Sequence, residues 1–251
     1  MFNVSSALVE GRTMIKGIQK FYSQISGPYQ LINSLLTLGL DAYWRKKAVK
    51  IAIKSSSNPE RFLDICSGTG QTAVGLQRSL PANSNAQIIA ADFSYHMLKI
   101  AMDITGKKGL HNIHFTLTDA LNLPFNDNTF DIITITFATR NLAAAPGHLL
   151  KSFREFYRVL KPGGRFLNLE TSQPPVKFIK MLFHLYVKLT VAPVGRWISG
   201  SKGSYAYLSN SIRSFHPAKE LTEILYEAGF ETVAWKNLLF GVVALHQAKK
   251  I

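Results

Sequence analysis

The stretch Arg61-Phe-Leu-Asp-Ile-Cys-Ser-Gly-Thr-Gly-Gln-Thr-Ala73 constrains the fold more than any other part of this chain. Residues 62–66 have the length and apolar content of a buried strand, and Gly68 and Gly70 permit a tight turn and a close approach of backbone to a ligand. A helix then restarts. A second apolar run, Ile88-Ile-Ala-Ala91, ends at Asp92, a carboxylate at a strand tip that can accept hydrogen bonds from ribose hydroxyls. Strand, glycine turn, helix, strand and acid form one nucleoside-binding unit.

The spacing Gly68-x-Gly70-x-x-Ala73 also satisfies the dinucleotide fingerprint, so the motif by itself leaves a nicotinamide dinucleotide and S-adenosylmethionine both open. Asp64 shifts the balance. A carboxylate inside the first strand benefits the cationic amino-acid end of S-adenosylmethionine and gives a pyrophosphate nothing. A turn with no ligand at all would leave that buried acid hard to satisfy.

Behind this unit helical and strand-like segments alternate, the order of a parallel sheet with helices on both faces. Ser94 is placed to cap a helix with Met97, Leu98, Ala101 and Ile104 on one face, and residues 112–118 and 130–137 read as the third and fourth strands. A helix over 146–160 is expected to stop at Lys161-Pro-Gly-Gly164, with a fifth strand over 165–170. Ligands of such sheets lie beyond the carboxyl ends of the strands. Residues 67–70, Asp92, Asp119, 136–141 and 170–172 therefore converge on one crevice. Over 174–211 an apolar and basic insertion replaces the alternation; it could cover a greasy substrate, lie on lipid or pack as ordinary core. A helix over 218–227 and strands over 231–237 and 240–247 close the chain, and the short join between those strands makes them antiparallel.

At 251 residues, 47% hydrophobic and without repeats or low-complexity tracts, the chain is expected to be globular, one domain by default. Cys66 is the only cysteine, which excludes an internal disulfide and fits a reducing compartment; it reads as a small core residue rather than a nucleophile. None of the histidines reads as a metal ligand, and no metal is expected. The formal charge of +14 is uneven: residues 11–40 hold no acid, and Arg45, Lys46, Lys47, Lys50 and Lys54 form a purely basic run. A basic face suits nucleic acid, an anionic membrane surface, an acidic substrate, or mere solubility. No apolar run is long enough to span a bilayer, and residues 1–20 lack the order of a secretory signal. The expected location is the cytoplasm, with peripheral contact at the inner face of the membrane.

Phe21-Tyr-Ser-Gln-Ile-Ser-Gly-Pro-Tyr-Gln-Leu-Ile-Asn33, Leu63-Asp-Ile-Cys-Ser-Gly-Thr-Gly70, Leu123-Pro-Phe-Asn-Asp-Asn-Thr-Phe-Asp131, Arg140-Asn141, Tyr157-Arg-Val-Leu-Lys-Pro-Gly-Gly164, Glu170-Thr-Ser-Gln-Pro174 and the segment 241–246 together resemble the ubiquinone/menaquinone biosynthesis C-methyltransferases. The resemblance covers roughly residues 21–249. Lys161-Pro-Gly-Gly164 is shared by many class I methyltransferases, whereas Tyr29, Arg140-Asn141 and Glu170-Thr-Ser-Gln-Pro174 are more specific, the last closer to the menaquinone members.

The resemblance implies an α/β class I S-adenosylmethionine-dependent methyltransferase fold, Rossmann-like, with a seven-stranded, mostly parallel sheet, an antiparallel last strand and a helical insertion before the final helix. It implies an N-terminal helical cap over 1–50, a cofactor-binding core over 61–172 and a substrate- or membrane-facing insertion over 174–211. Cofactor contacts are implied at Thr69, Asp92, Asp119, Ala120 and Thr136, beside Asp64, Gly68 and Gly70 from the motif itself. The implied reaction moves a methyl group from S-adenosylmethionine to a ring carbon of a reduced prenylated quinone, demethylmenaquinol to menaquinol, with a benzoquinol of the ubiquinone pathway as the alternative. Arg140, Asn141 and Tyr29 are the implied catalytic residues. The partners are the prenylated quinol and an anionic membrane surface, with no nucleic acid and with room for a homo-oligomer.

Family accounts let Arg140 handle the hydroxyl proton of the quinol. A guanidinium stays protonated, so its natural part is to stabilise a developing naphtholate, worth roughly 3–4 kcal/mol per well-placed donor. The alternative is an Arg140 paired with a core carboxylate. Gln30 and Gln71 depart from the acids usual in the family and leave the substrate less fixed than the donor. Other readings are an RNA or small-molecule methyltransferase, an NAD-dependent oxidoreductase, and a silent cofactor-binding subunit of a quinone-biosynthesis assembly.

Overall fold

The computed structural model describes residues 29–56, 59–199 and 202–251, with backbone alone at 29–32, 192, 194–199 and 202–206. Its centre is β1 (Arg61–Ile65), in which Phe62, Leu63, Asp64 and Ile65 are all inaccessible to solvent. A strand buried on both faces belongs in the middle of a parallel sheet covered by helices. β1 pairs in parallel with β2 (Gln87–Asp92) on one side and β4 (Phe130–Thr136) on the other. β3 (Ile113–Leu117) flanks β2, and β5 (Leu160–Thr171) flanks β4, also in parallel. β7 (Val243–Lys249) is antiparallel to β5 and to the edge strand β6 (Thr232–Leu238), so the sheet runs β3-β2-β1-β4-β5-β7-β6.

The helices are α1 (Tyr29–Leu36), α2 (Leu40–Lys54), α3 (Gln71–Ser79), α4 (Tyr95–Lys107), α5 (Thr139–Leu142), α6 (His148–Val159), α7 (Lys177–Ser199), α8 (Lys202–Ser214) and α9 (Ala218–Glu227). Ser94 caps α4 by accepting from the Met97 amide, and Met97, Leu98 and Ala101 are buried beneath it, as the spacing predicts. Between α6, α9 and the sheet, Phe153, Phe156, Phe166 and Phe230 form an aromatic core with ring centroids 5.5–6.1 Å apart. On the other face, Val49 and Ala52 of α2 pack with Phe62, Ile88 and Ile132 of the sheet.

Three details differ from the sequence reading. The glycines of Lys161-Pro-Gly-Gly164 do not terminate α6, because Leu160 is already extended and opens β5. The segment bulges out of register: Phe130 pairs with Leu160 but Ile132 with Arg165, while Gly163 and Gly164 bond the backbone of Lys250. The last strand begins at Val243 rather than at 240, since Leu239–Gly241 forms a 3₁₀ turn with Leu239 and Phe240 in left-handed conformation. The insertion over 174–211 is a pair of helices, α7 and α8, packed on each other, and α8 extends to Ser214.

Candidate active site

β1 is the strand at which the chain reverses direction across the sheet, with β2 and β3 to one side and β4 and β5 to the other. Loops leaving such a point diverge and open a crevice at the carboxyl ends of the strands. A cavity of about 310 Å³ lies there, and Gly68, Thr69, Asp92, Asp119, Ala120 and Thr136 all line it. These residues, spread over the sequence, are brought together as the strand-end rule requires.

The backbone at the mouth is held in rare conformations. Cys66 and Phe137, the residues just past β1 and β4, both have left-handed φ, at 52° and 57°, and both line the cavity. Gly70 has φ 75°, and a Cβ there would stand 3.1 Å from that of Ala101, so glycine lets α3 start against α4. Asp92 ties two turns together: its Oδ2 accepts from the Gly68 amide and its Oδ1 from the Ser94 amide, each at 2.8 Å. Burial pushes its pKa up to about 6, opposed by those backbone donors. Each carboxylate oxygen has a second lone pair, so the capacity to receive ribose hydroxyls remains. Asp119 accepts from the Leu121 amide at 2.9 Å, shaping the turn after β3 while still facing the cavity. Burial raises the Cys66 thiol well above its ordinary range, which leaves it an inert wall residue.

Asp64 and Gly70 are not on this wall. Expected beside the donor's cationic end, Asp64 is wholly buried and accepts from Thr134 Oγ1 at 2.8 Å. Desolvation pushes its pKa up to about 7, opposed by the Thr134 hydroxyl and by the charge of Arg45.

Arg45 is the residue that sequence reasoning missed. It stood in a basic run whose other members, Lys46, Lys47, Lys50 and Lys54, surround an open groove on the outside of α2. Trp44, Ala48 and Ala52 are buried on the packed face of α2, and that spacing was the available signal that position 45 lies beside it. Arg45 Nη1 bonds Thr136 Oγ1 and, at 3.3 Å, Thr72 Oγ1, and its guanidinium carbon lies 5.0 Å from the centre of the Phe137 ring.

A second cavity, of about 410 Å³, adjoins the first and shares Arg45 and Phe137 with it. Its wall is largely apolar, from Leu36, Leu40 and Trp44 on one side to Leu182, Phe183 and Val187 of α7 on the other. Arg140 faces this cavity, whereas its neighbour Asn141 faces the first. Arg140 Nη1 donates to Glu170 Oε1 at 2.8 Å and to the Phe137 carbonyl at 2.9 Å. The pairing with a core carboxylate, weighed above as the alternative for Arg140, is thus present, and it coexists with a place on the cavity wall. Glu170 also receives the Arg140 and Thr171 amides and the Thr171 hydroxyl. Asp41, another residue absent from the sequence reading, is the one carboxylate on this wall among the described residues; Thr37 Oγ1 donates to it at 3.1 Å. The side chains of Tyr29 and Tyr205 lie outside the described residues. Of the other aromatics considered for stacking, Phe215 belongs to the central core and Tyr207 packs beside Met97.

Residues 10–250 match the sequence pattern of the ubiE/COQ5 methyltransferase family. The chain belongs to that family. A demethylmenaquinone methyltransferase of Thermus thermophilus is 38% identical over 90% of this chain and 97% of its own length. A ubiquinone/menaquinone biosynthesis C-methyltransferase UbiE of Desulfotalea psychrophila is 36% identical over 93% of this chain and 90% of its own. Among solved structures, a SAM-dependent methyltransferase from Aquifex aeolicus shares the fold with a TM-score of 0.56 at 18% identity, over 80% of this chain and 88% of that one. This ubiE/COQ5 family member is therefore an S-adenosylmethionine-dependent C-methyltransferase of Rossmann-like class I fold.

The first cavity fits that donor. Carboxylates stand at Asp92 and Asp119, apolar side chains at Met97 and Leu142, and the buried Ser67 Oγ lines it without a partner among the described residues. Such an orphaned hydroxyl in a wall is the mark of a polar ligand site.

Proposed function

We propose that this methyltransferase acts on a ring carbon of a reduced, prenylated quinone, demethylmenaquinol in the first instance, held in the apolar second cavity beside the donor. The observation that carries the reading is the pair of adjoining cavities, the first carrying the carboxylates of Asp92 and Asp119 and the second almost wholly apolar, with Arg45 and Phe137 common to both. An RNA substrate would find little to bind in an apolar wall, while a polyprenylated ring gains from each buried carbon.

When bound, S-adenosylmethionine supplies a methyl group on a positively charged sulfur. The net change at the quinol is replacement of a ring C–H by C–CH₃ with release of one proton. Arg140, fixed by Glu170, is the donor that stabilises the hydroxyl oxygen as it gains negative charge. Asp41 is the acceptor for the proton, and the apolar lining keeps bulk water from competing with the ring carbon. Tyr29 is carried over from the family resemblance as a ring-positioning residue, while Asn141, which lines the first cavity, acts from the donor side. Purified protein given S-adenosylmethionine and chemically reduced demethylmenaquinone should yield menaquinone by mass spectrometry, with no product from the oxidised quinone. Product from a benzoquinol alone would move the assignment to the ubiquinone pathway; no product from either would end it.

The same reading places the enzyme at a membrane surface. No described helix is long and apolar enough to cross a bilayer. Phe178, Met181, Leu185 and Leu189 are nevertheless exposed on α7, near Lys177, Lys180 and Lys188, and Leu38 stands exposed at the second cavity. Apolar side chains ringed by lysines suit an anionic bilayer, from which a prenyl tail would enter. Vesicles containing phosphatidylglycerol should sediment the protein and neutral vesicles should not; equal partition would remove the surface from the proposal.

A further inference from the structure

The sequence gives the amino-acid end of S-adenosylmethionine a partner for its ammonium, Asp64, and none for its carboxylate. The structure withdraws Asp64 into the sheet and puts a cation on the wall. Among the described residues Arg45 is the one arginine or lysine lining the first cavity, in a lining that otherwise carries the acids Asp92 and Asp119. It also stands at a particular end. Asp119 follows β3 and Thr136 closes β4, and the order β3-β2-β1-β4 separates them by three strand spacings, roughly 14 Å. An adenosyl group received at Asp119 and Ala120, with its ribose at Asp92, directs the amino-acid portion toward Thr136, where Arg45 is bonded.

The guanidinium is already positioned. Thr136 and Thr72 hydroxyls hold Nη1, those two hydroxyls meet each other at 2.8 Å, the Phe137 ring packs against the guanidinium carbon, and the charges of Arg45 and Asp64 attract. A fork of five N–H donors fixed in advance costs little further ordering when a planar carboxylate arrives. We propose that Arg45 is the anchor for the donor's α-carboxylate, a subsite built by the N-terminal helical layer rather than by the sheet. This rests on S-adenosylmethionine as the donor. Because Arg45 also lines the second cavity, the anchor fixes the amino-acid end of the donor at the boundary with the acceptor.

The test compares two ligands that differ only in that carboxylate, S-adenosylmethionine and its decarboxylated analogue, by calorimetry without acceptor. The wild-type protein should bind the decarboxylated analogue on the order of 10- to 100-fold more weakly. Arg45→Ala should erase that difference by weakening S-adenosylmethionine alone, with the analogue's affinity unchanged, and Arg45→Lys should restore part of it. A wild-type protein that does not discriminate between the two, or a discrimination that persists in Arg45→Ala, overturns the proposal. Should Arg45→Ala bind neither, the wild-type and Arg45→Lys measurements still decide, because an anchor requires both to favour the carboxylate. Failure of the wild-type protein to bind either ligand would instead strike the donor assignment itself.

Discussion

The two adjoining cavities are built from different parts of the chain and obey different rules. The donor cavity is made by strand ends and the turns that follow them, where backbone amides, carboxylates and left-handed residues are set by the sheet. The acceptor cavity is made by helices laid over that sheet, α1, α2 and α7 with α8, and its character is shape and greasiness rather than fixed polar contacts. One surface recognises a constant ligand and the other a variable one. Arg45 and Phe137 belong to both, so chemistry crosses where the two designs meet.

The sharpest way to break this division is at Arg140, which lines only the acceptor side. Arg140→Lys should lower turnover by on the order of 10²–10³ while donor affinity, read by calorimetry, stays within a factor of about two. Alanine is the poorer probe. It strands Glu170, which is 1% exposed, and breaking such a buried pair costs roughly 3–5 kcal/mol of stability. A parallel loss of donor affinity in Arg140→Lys would mean that the cavities are one site. Asp92→Asn makes the converse case. The change removes the charge that Gly68 and Ser94 amides point to, and should weaken donor binding by roughly 10- to 100-fold with turnover at saturating donor much less affected.

The division also explains what could be read in advance. The donor cavity was legible because its residues sit at fixed offsets from strand ends: Gly68 and Thr69 after β1, Asp92 at the tip of β2, Asp119 two residues past β3, Thr136 closing β4. Periodicity gives the strands, and the strand-end rule gives the crevice. Nothing comparable predicts Asp41 or Arg45, which reach the cavities because α2 lies across the sheet at an angle set by the packing of Trp44, Ala48 and Val49. Helix-on-sheet placement is a tertiary choice without a local code. Asp64 failed to reach the wall for a related reason, since Thr134 on the adjacent strand offers it a partner inside the sheet. The face of α7 was ambiguous because Leu182 and Tyr186 line the acceptor cavity while Phe178 and Leu185 point to solvent, all within one apolar pattern.

That ambiguity yields a milder test on the acceptor side. Leu182 lines the cavity yet is 47% exposed, so an aspartate there should leave stability nearly intact. Leu182→Asp should raise KM for a long-tailed quinol by about 10-fold, the scale of burying a side chain's worth of hydrocarbon. A quinol lacking the tail should show no change. Equal effects on both substrates would relocate the tail to another wall.

The smallest effect expected concerns pH, and it should belong to the donor side alone. Asp64 and Asp92 have folded-state pKa values raised to about 7 and about 6, both chiefly by burial. An acid raised above its unfolded value binds its proton in the native state first, so its stabilising contribution is complete at low pH and is lost as pH rises through the folded pKa. Between about pH 4 and 7 these two groups therefore make the protein less stable as pH increases. Asp64→Asn keeps an oxygen for the Thr134 hydroxyl and removes the charge, at the cost of Arg45 losing a countercharge. Thermal unfolding should show the variant more stable than wild type at pH 8, by roughly 1–2 kcal/mol, with the gap narrowing as pH falls and closing only near about pH 4. A gap independent of pH would show that Asp64 is ionised throughout this range in the folded protein as in the unfolded chain, and that burial does not raise its pKa.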